Sequence, residues 1–196
     1  MPEYSDEYAQ RLSSLQEARW KRALDVQRPY RWNLNRLCEG EVLEVGCGIG
    51  RNLRNLAGRS VGVDTNAAAI AIAVRDGQTA FTLEEFPDTE YAVPGRFGTL
   101  LMSHLLEHLD FDTAHQLIQD YLPYIAPGGL VVIECPQEVG YRSDATHIRW
   151  VDAAELQRQC EASGLTMVRQ FSFPFPRVVG KAFIYNQFEA VARVPG

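Results

Sequence analysis

A chain of 196 residues, 46% apolar and 22% charged, suits one domain with a full core and is too short for two ordinary ones. The formal net charge of −6 argues against a long basic stripe gripping a phosphate backbone, though it leaves room for a local patch. No apolar run approaches the roughly 18 residues that span a bilayer, and Cys38, Cys47, Cys135 and Cys160 are scattered without a CxxC pair, which reads as reduced thiols of a cytoplasmic protein rather than a disulfide frame or a zinc knuckle.

The start, Met1-Pro2-Glu3-Tyr4-Ser5-Asp6-Glu7, is acidic with no apolar stretch behind it, unlike a signal peptide. Charged and apolar positions then interleave from about Asp6 to Gln27 in a helical pattern. Pro29, a favoured first-turn residue, opens a second helix carrying Tyr30, Trp32, Leu34 and Leu37 and ending at Gly40. From Glu41 the pattern changes. Strands are expected at 41–45, 60–64, 79–83, 97–102, 130–135, 165–173 and 182–192. Helices are expected at 51–57, after Asn66 to Arg75, at 113–125 and at 152–163. Pro127-Gly128-Gly129 reads as a break, residues 136–151 as a polar loop, and Asn66 as a helix cap. Strands alternating with helices imply a parallel sheet covered on both faces, with the last two runs forming an antiparallel hairpin at its edge. The expected division is a helical cap over residues 1–39 and a sheet domain over 40–196.

The strongest local signal is Glu44-Val45-Gly46-Cys47-Gly48-Ile49-Gly50, which follows the first strand and opens a helix. Glycines there allow a sharp turn and let a ligand approach bare backbone amides. Asp64 ends the second strand, close to where an acid accepts hydrogen bonds from ribose hydroxyls. The dinucleotide pattern GxGxxG is absent: the spacing is GxGxG, and Leu53 follows the loop.

This loop resembles motif I of class I S-adenosylmethionine-dependent methyltransferases, and Val61-Gly62-Val63-Asp64 resembles their second motif. Phe97-Gly98-Thr99-Leu100 and Ala126-Pro127-Gly128-Gly129-Leu130 extend the likeness over residues 40 to 190. The resemblance implies a Rossmann-like, seven-stranded, mostly parallel α/β sheet with an antiparallel last strand and helices on both faces. It implies cofactor contacts from Glu44, Gly46, Cys47, Gly48, Gly50, Asp64, Thr65 and Ser103, with adenine near Thr82 and Leu83. Many relatives carry an acid where Thr82 stands.

The chemistry is expected beyond the carboxyl ends of the strands. After the fourth strand come Ser103-His104-Leu105-Leu106-Glu107-His108, placing His104, Glu107 and His108 at i, i+3 and i+4, one face of a helical turn. His147 follows the fifth strand. Three of the four histidines thus fall in two neighbouring loops, and imidazoles converging with a carboxylate suit a divalent metal, magnesium or another. The segment resembles the ExxEH motif of small-RNA 3′-end and ubiquinone-pathway O-methyltransferases. It departs in having His104 where the first glutamate belongs, and Asp144-Ala145-Thr146-His147-Ile148-Arg149-Trp150 matches the RNA enzymes' second histidine context with two extra residues. Three readings stay open: a metal held by Glu107, His108, His147 and His104; a metal-free base among His104, His108 and His147; and a structural role. His115 reads as a packing or exposed residue.

Tyr30, Tyr141, Asp144 and Trp150 are the candidates for acceptor contact, with Trp32 and Asn33 beside them. Aromatic residues crowd the last third, around the stiff loop Phe173-Pro174-Phe175-Pro176-Arg177, and rings there can stack on a sugar face. That part resembles actinobacterial saccharide O-methyltransferases. The expected function is methyl transfer to a hydroxyl of a small, saccharide-like acceptor, in a monomer or homodimer. The alternatives are a metal-free N- or phenol O-methyltransferase, a 2′-O-methyltransferase of RNA 3′ ends, and a non-catalytic cofactor-binding partner subunit.

Overall fold

In the computed structural model, which describes residues 27–196, seven segments pair into one sheet. They are β1 (Val42–Val45), β2 (Ser60–Asp64), β3 (Ala80–Thr82), β4 (Phe97–Ser103), β5 (Ile125–Pro136), β6 (Thr166–Phe173) and β7 (Gln187–Arg193), in the order β3-β2-β1-β4-β5-β7-β6. The first five are parallel, and β7 runs antiparallel to both β5 and β6. The helix expected over residues 6–27 lies outside the described residues, Gln27 apart. No helix among the described residues is long and apolar enough to cross a membrane.

Alternation along the strands builds two cores. Val42, Leu101, Val132 and Val191 pack under Leu34 and Leu37 of α1 (Arg28–Leu37). Leu43, Leu100, Val131 and Ile133 point the other way. They meet Ala114 and Ile118 of α4 (Phe111–Tyr121) and Leu156 and Cys160 of α6 (Ala153–Ala162). A third cluster joins α2 (Arg51–Asn55) and α3 (Ala67–Arg75) through Leu53, Ile70 and Ala73. Both faces of the sheet are therefore covered, and its order reverses between β1 and β4, which opens a crevice at their carboxyl ends. All four cysteines are free and buried.

Three local readings of the sequence are corrected. α4 stops at Tyr121, and a 3-10 turn over Leu122–Tyr124 leads into β5 at Ile125, ahead of Pro127-Gly128-Gly129 rather than after it. A register shift between Phe97 and Thr99 absorbs the glycines; a side chain at Gly129 would lie 2.8 Å from the carbonyl oxygen of Ala126. Glu138–Arg142 forms a short helix, α5, where a loop was expected. β7 begins at Gln187 rather than at Ala182, because Asn186 closes the preceding loop: its Oδ1 accepts from Phe175 N at 3.0 Å and its Nδ2 donates to Phe175 O at 3.2 Å.

Candidate active site

The glycine loop sits at the crevice. Gly46, Gly48 and Gly50 have φ of 80°, 51° and 76°, conformations that favour glycine. A side chain at Gly46 would lie 3.0 Å from Leu105, and one at Gly50 would lie 3.1 Å from Ala73, whereas one at Gly48 would meet nothing within 4 Å. Gly48 thus presents bare backbone to open space, and Gly46 is packed against the loop that follows β4. Asp64 ties the loop to β2: its Oδ2 accepts from Gly48 N at 2.8 Å and its Oδ1 from Asn66 N at 2.9 Å. Burial pushes its pKa up, although the backbone donors oppose the shift.

Thr82 stands opposite Asp64 in the β2–β3 register, Leu83 N donates to Asp64 O at 3.2 Å, and Thr65 is exposed beside them. These four residues share one rim. Thr82 Oγ1 also accepts from Glu85 N at 3.3 Å. Asn66 caps α3 through Ala68 N and Ala69 N. Glu44 is buried, with Oε1 accepting from Asn52 Nδ2 at 2.8 Å and Oε2 without a hydrogen-bond partner; burial pushes it up to about 8. Gly62 was named in the second motif without a role of its own, yet a side chain there would lie 2.6 Å from Cys47 Sγ. Its signal was a glycine inside a strand run.

β4 delivers the second loop. His104 leaves the strand at φ 53°, a strained conformation for a residue with a Cβ, and Leu106–His108 make a 3-10 turn. Glu107 is wholly buried, and its carbonyl oxygen accepts from Ile148 N at 2.9 Å and Arg149 N at 3.1 Å. Those bonds bring the segment after α5 to the turn. His147 Nε2 then lies 3.9 Å and His104 Nδ1 3.4 Å from Glu107 Oε1. Glu107, His108 and His147 each offer one ligand atom, all within 4.8 Å of one another. His104 stands outside that set, with its Nε2 3.2 Å from Gln187 Oε1.

The surroundings set the charges. Burial alone would lower His104, but the Glu107 carboxylate outweighs it and the net shift is upward. Burial alone would raise Glu107, but the His104 ring outweighs it and the net shift is downward. Burial lowers His108. His147 Nδ1 lies 2.7 Å from Tyr141 O, and the Tyr141 ring stacks on it with centroids 5.3 Å apart. Trp150 meets Tyr141 edge-on at 5.1 Å and donates from Nε1 to Asp152. Asp144 Oδ1 accepts from Thr146 N and Oγ1, and Thr146 Oγ1 lies 3.2 Å from His108 Nδ1. Tyr141, Asp144 and Trp150 therefore brace the imidazoles.

On the α1 face, the buried Ser103 donates from Oγ to Glu134 Oε2 at 2.5 Å. Tyr30 OH donates to Tyr185 O at 3.0 Å, and its ring meets Phe173 edge-on. Asn33 is buried and bonded to Glu189, whereas Trp32 is 60% exposed. Glu134, Gln187 and Glu189 were missed in the sequence; their signal was acids and an amide inside strand runs. His115 joins α4 to Ser163 across 3.2 Å.

Comparison with known proteins matches this fold. A family model described as a methyltransferase domain covers residues 19–170. An uncharacterized methyltransferase of Bacillus cytotoxicus is 33% identical over 97 residues; the aligned stretch is 47% of this chain and only 45% of that relative. A S-adenosylmethionine-dependent methyltransferase from Archaeoglobus fulgidus superposes with a TM-score of 0.66 at 19% identity, over 88% of this chain and 94% of that one. A putative methyltransferase of Haloferax volcanii, solved in complex with the Trm112 methyltransferase activator, superposes with a TM-score of 0.68 at 18% identity, over 97% and 96%. The chain belongs to the methyltransferase domain family.

Proposed function

We propose that the enzyme methylates a hydroxyl of a small, saccharide-like acceptor, and that Glu107, His108 and His147 hold a divalent cation against that hydroxyl. The Glu107 carboxylate carries this reading. It is buried, the His104 ring at 3.4 Å is the one donor beside Oε1, no donor meets Oε2, and two further imidazoles offer nitrogens next to it. A buried carboxylate so thinly supplied with donors is destabilising unless positive charge offsets it. One carboxylate and two imidazoles suit manganese, iron or zinc better than magnesium, which prefers oxygen.

Methyl transfer is an in-line displacement on a sulfonium methyl, and the cofactor supplies the leaving group. The protein must place the nucleophile and help remove its proton. A bound cation would lower the pKa of a hydroxyl and orient it. Glu44, the glycine loop and Asp64 would hold the donor, and the contact of Leu105 with Gly46 fixes the distance between the two loops. The exposed rings of Phe175 and Tyr185 offer stacking surfaces for a sugar face. The net charge of −6 disfavours RNA as the acceptor.

A metal-free reading has its own support. Tyr141 O fixes the His147 tautomer, so Nε2 can take the hydroxyl proton directly, with His104 balancing the charge of Glu107. Titration with Mn2+ followed by electron paramagnetic resonance separates the two. The cation reading expects one bound ion per chain, lost in Glu107→Gln, and chelator-sensitive turnover. Absence of bound ion together with chelator-resistant turnover overturns it. Mass spectrometry of a panel of sugars tests the acceptor, and methylation of amines alone would overturn the hydroxyl assignment.

A further inference from the structure

Glu134 and Glu189 face each other across the β5–β7 register. Each lies two positions from a member of the α1-side core, Val132 and Val191 respectively, so both side chains lie under α1. Glu134 Oε2 accepts from Ser103 Oγ, while Glu189 Oε1 accepts from Asn33 Nδ2 and from Gln187 Nε2, each at 2.8 Å. Glu189 is wholly buried, yet its Oε2 has no hydrogen-bond partner. On the same face, at the end of β1, Glu44 Oε2 is buried and equally without a partner. Glu134 and Glu189 thus meet under α1 with an oxygen left without a partner, which is costly for a buried carboxyl group once it is ionised. The chemistry proposed for Glu107 and the imidazoles uses neither Glu134 nor Glu189.

We propose that Glu134 and Glu189 form a subsite for a primary ammonium group, which makes the acceptor an amine-bearing hydroxy compound such as an amino sugar. This rests on the hydroxyl-acceptor reading above. A primary ammonium is compact and carries three donors and no acceptor, matching the surplus of oxygens. A quaternary ammonium has no donor to give. Glu134 keeps 7% exposure, and Tyr30 and His104 are half-buried. His104 N donates to Glu134 O at 2.8 Å, so the subsite adjoins the loop that carries the imidazoles.

Burial, reinforced by the charge of Glu134, pushes Glu189 up to about 9. At neutral pH Glu189 holds a proton in place of a partner cation. Binding of the ammonium ionises Glu189, and that proton leaves to solvent. The cofactor also carries a primary ammonium, so the test has an arm for each source.

The full chain, saturated with S-adenosylhomocysteine, is titrated calorimetrically with glucosamine and with glucose. The titrations run somewhat below neutral pH, where the amine is charged, in two buffers of different ionisation enthalpy. Glucosamine is expected to bind about tenfold more tightly than glucose and to release about one proton. Glu189→Gln and Glu134→Gln should each lose that preference while melting no lower than the wild type. Equal binding of the two sugars, no binding of either, or a preference that survives both substitutions overturns the proposal. In the second arm the cofactor-free chain is titrated with S-adenosylhomocysteine. A loss of about tenfold or more in the variants would give the ammonium to the cofactor and overturn the acceptor assignment. Because neither arm reads turnover, an ammonium preference without hydroxyl methylation would count against the function proposed above and not against this subsite.

Discussion

His147 donates its Nδ1 proton to the carbonyl oxygen of Tyr141, 2.7 Å away, and so turns the lone pair of Nε2 toward Glu107. A carbonyl oxygen can only accept, so this partner selects the tautomer. The same arrangement, a backbone carbonyl behind the ring, orients histidines that ligate metals. Either proposed chemistry needs that lone pair.

His147→Ala is therefore expected to lower kcat by about 10²–10⁴-fold while leaving affinity for S-adenosylhomocysteine unchanged. Tyr141→Phe keeps both the carbonyl and the stacked ring and should retain most of the activity. Steady-state kinetics beside calorimetry checks both. Loss of cofactor affinity in His147→Ala would remove the residue from the acceptor side.

Two glycines should separate packing from binding. Gly62→Ala places a methyl 2.6 Å from Cys47 Sγ and 2.7 Å from Leu53 Cδ1, overpacking that costs about 1–3 kcal/mol and lowers the melting temperature. Gly48→Ala meets no atom within 4 Å, so its stability cost is limited to backbone strain of about 1–2 kcal/mol. Its methyl enters the space in front of the loop, and cofactor affinity should fall. Equal affinity in Gly48→Ala and the wild type would place the cofactor elsewhere.

Stability should fall on both sides of a mildly acidic optimum. Burial raises Glu44 from 4.5 to about 8, and burial with the charge of Glu134 raises Glu189 from 4.5 to about 9. A raised carboxyl means the folded state holds protons that the unfolded state has released. That contribution is complete below about 4.5 and is lost as pH climbs through about 8 and about 9. Glu107 works in the opposite sense: burial opposes it, but His104 holds its pKa below 4.5, so its contribution is lost as pH falls. Melting temperatures of the cofactor-free protein across pH check this. Glu189→Gln should flatten the alkaline limb and leave the acid limb in place.

The sheet, the glycine loop and Asp64 were legible because they are local: short apolar runs closed by glycines, and an acid at a strand end. Glu107, His108 and His147 were also named from spacing, but not how they meet. The 3-10 turn at Leu106–His108 turns Glu107 inward, and the bonds from Ile148 N and Arg149 N to Glu107 O bring His147 within reach. These are contacts between residues about forty positions apart. The break expected at Pro127-Gly128-Gly129 failed because a register shift lets β5 run through it. Glu134 and Glu189 stayed invisible because their pairing depends on β7 inserting between β5 and β6, and a single acid in an apolar strand does not announce its cross-strand neighbour.

The most direct test is a calorimetric titration of the full chain with S-adenosylhomocysteine, run on the wild type and on Asp64→Ala. Asp64 accepts from Gly48 N and Asn66 N and faces the rim formed with Thr82 and Leu83. The expected result is saturable one-to-one binding by the wild type and an affinity at least about tenfold lower in the variant, the loss of a hydrogen bond to a charged group. A wild-type chain that takes up no cofactor at millimolar concentration would contradict the assignment of the glycine loop and Asp64, and with it every step placed beyond them.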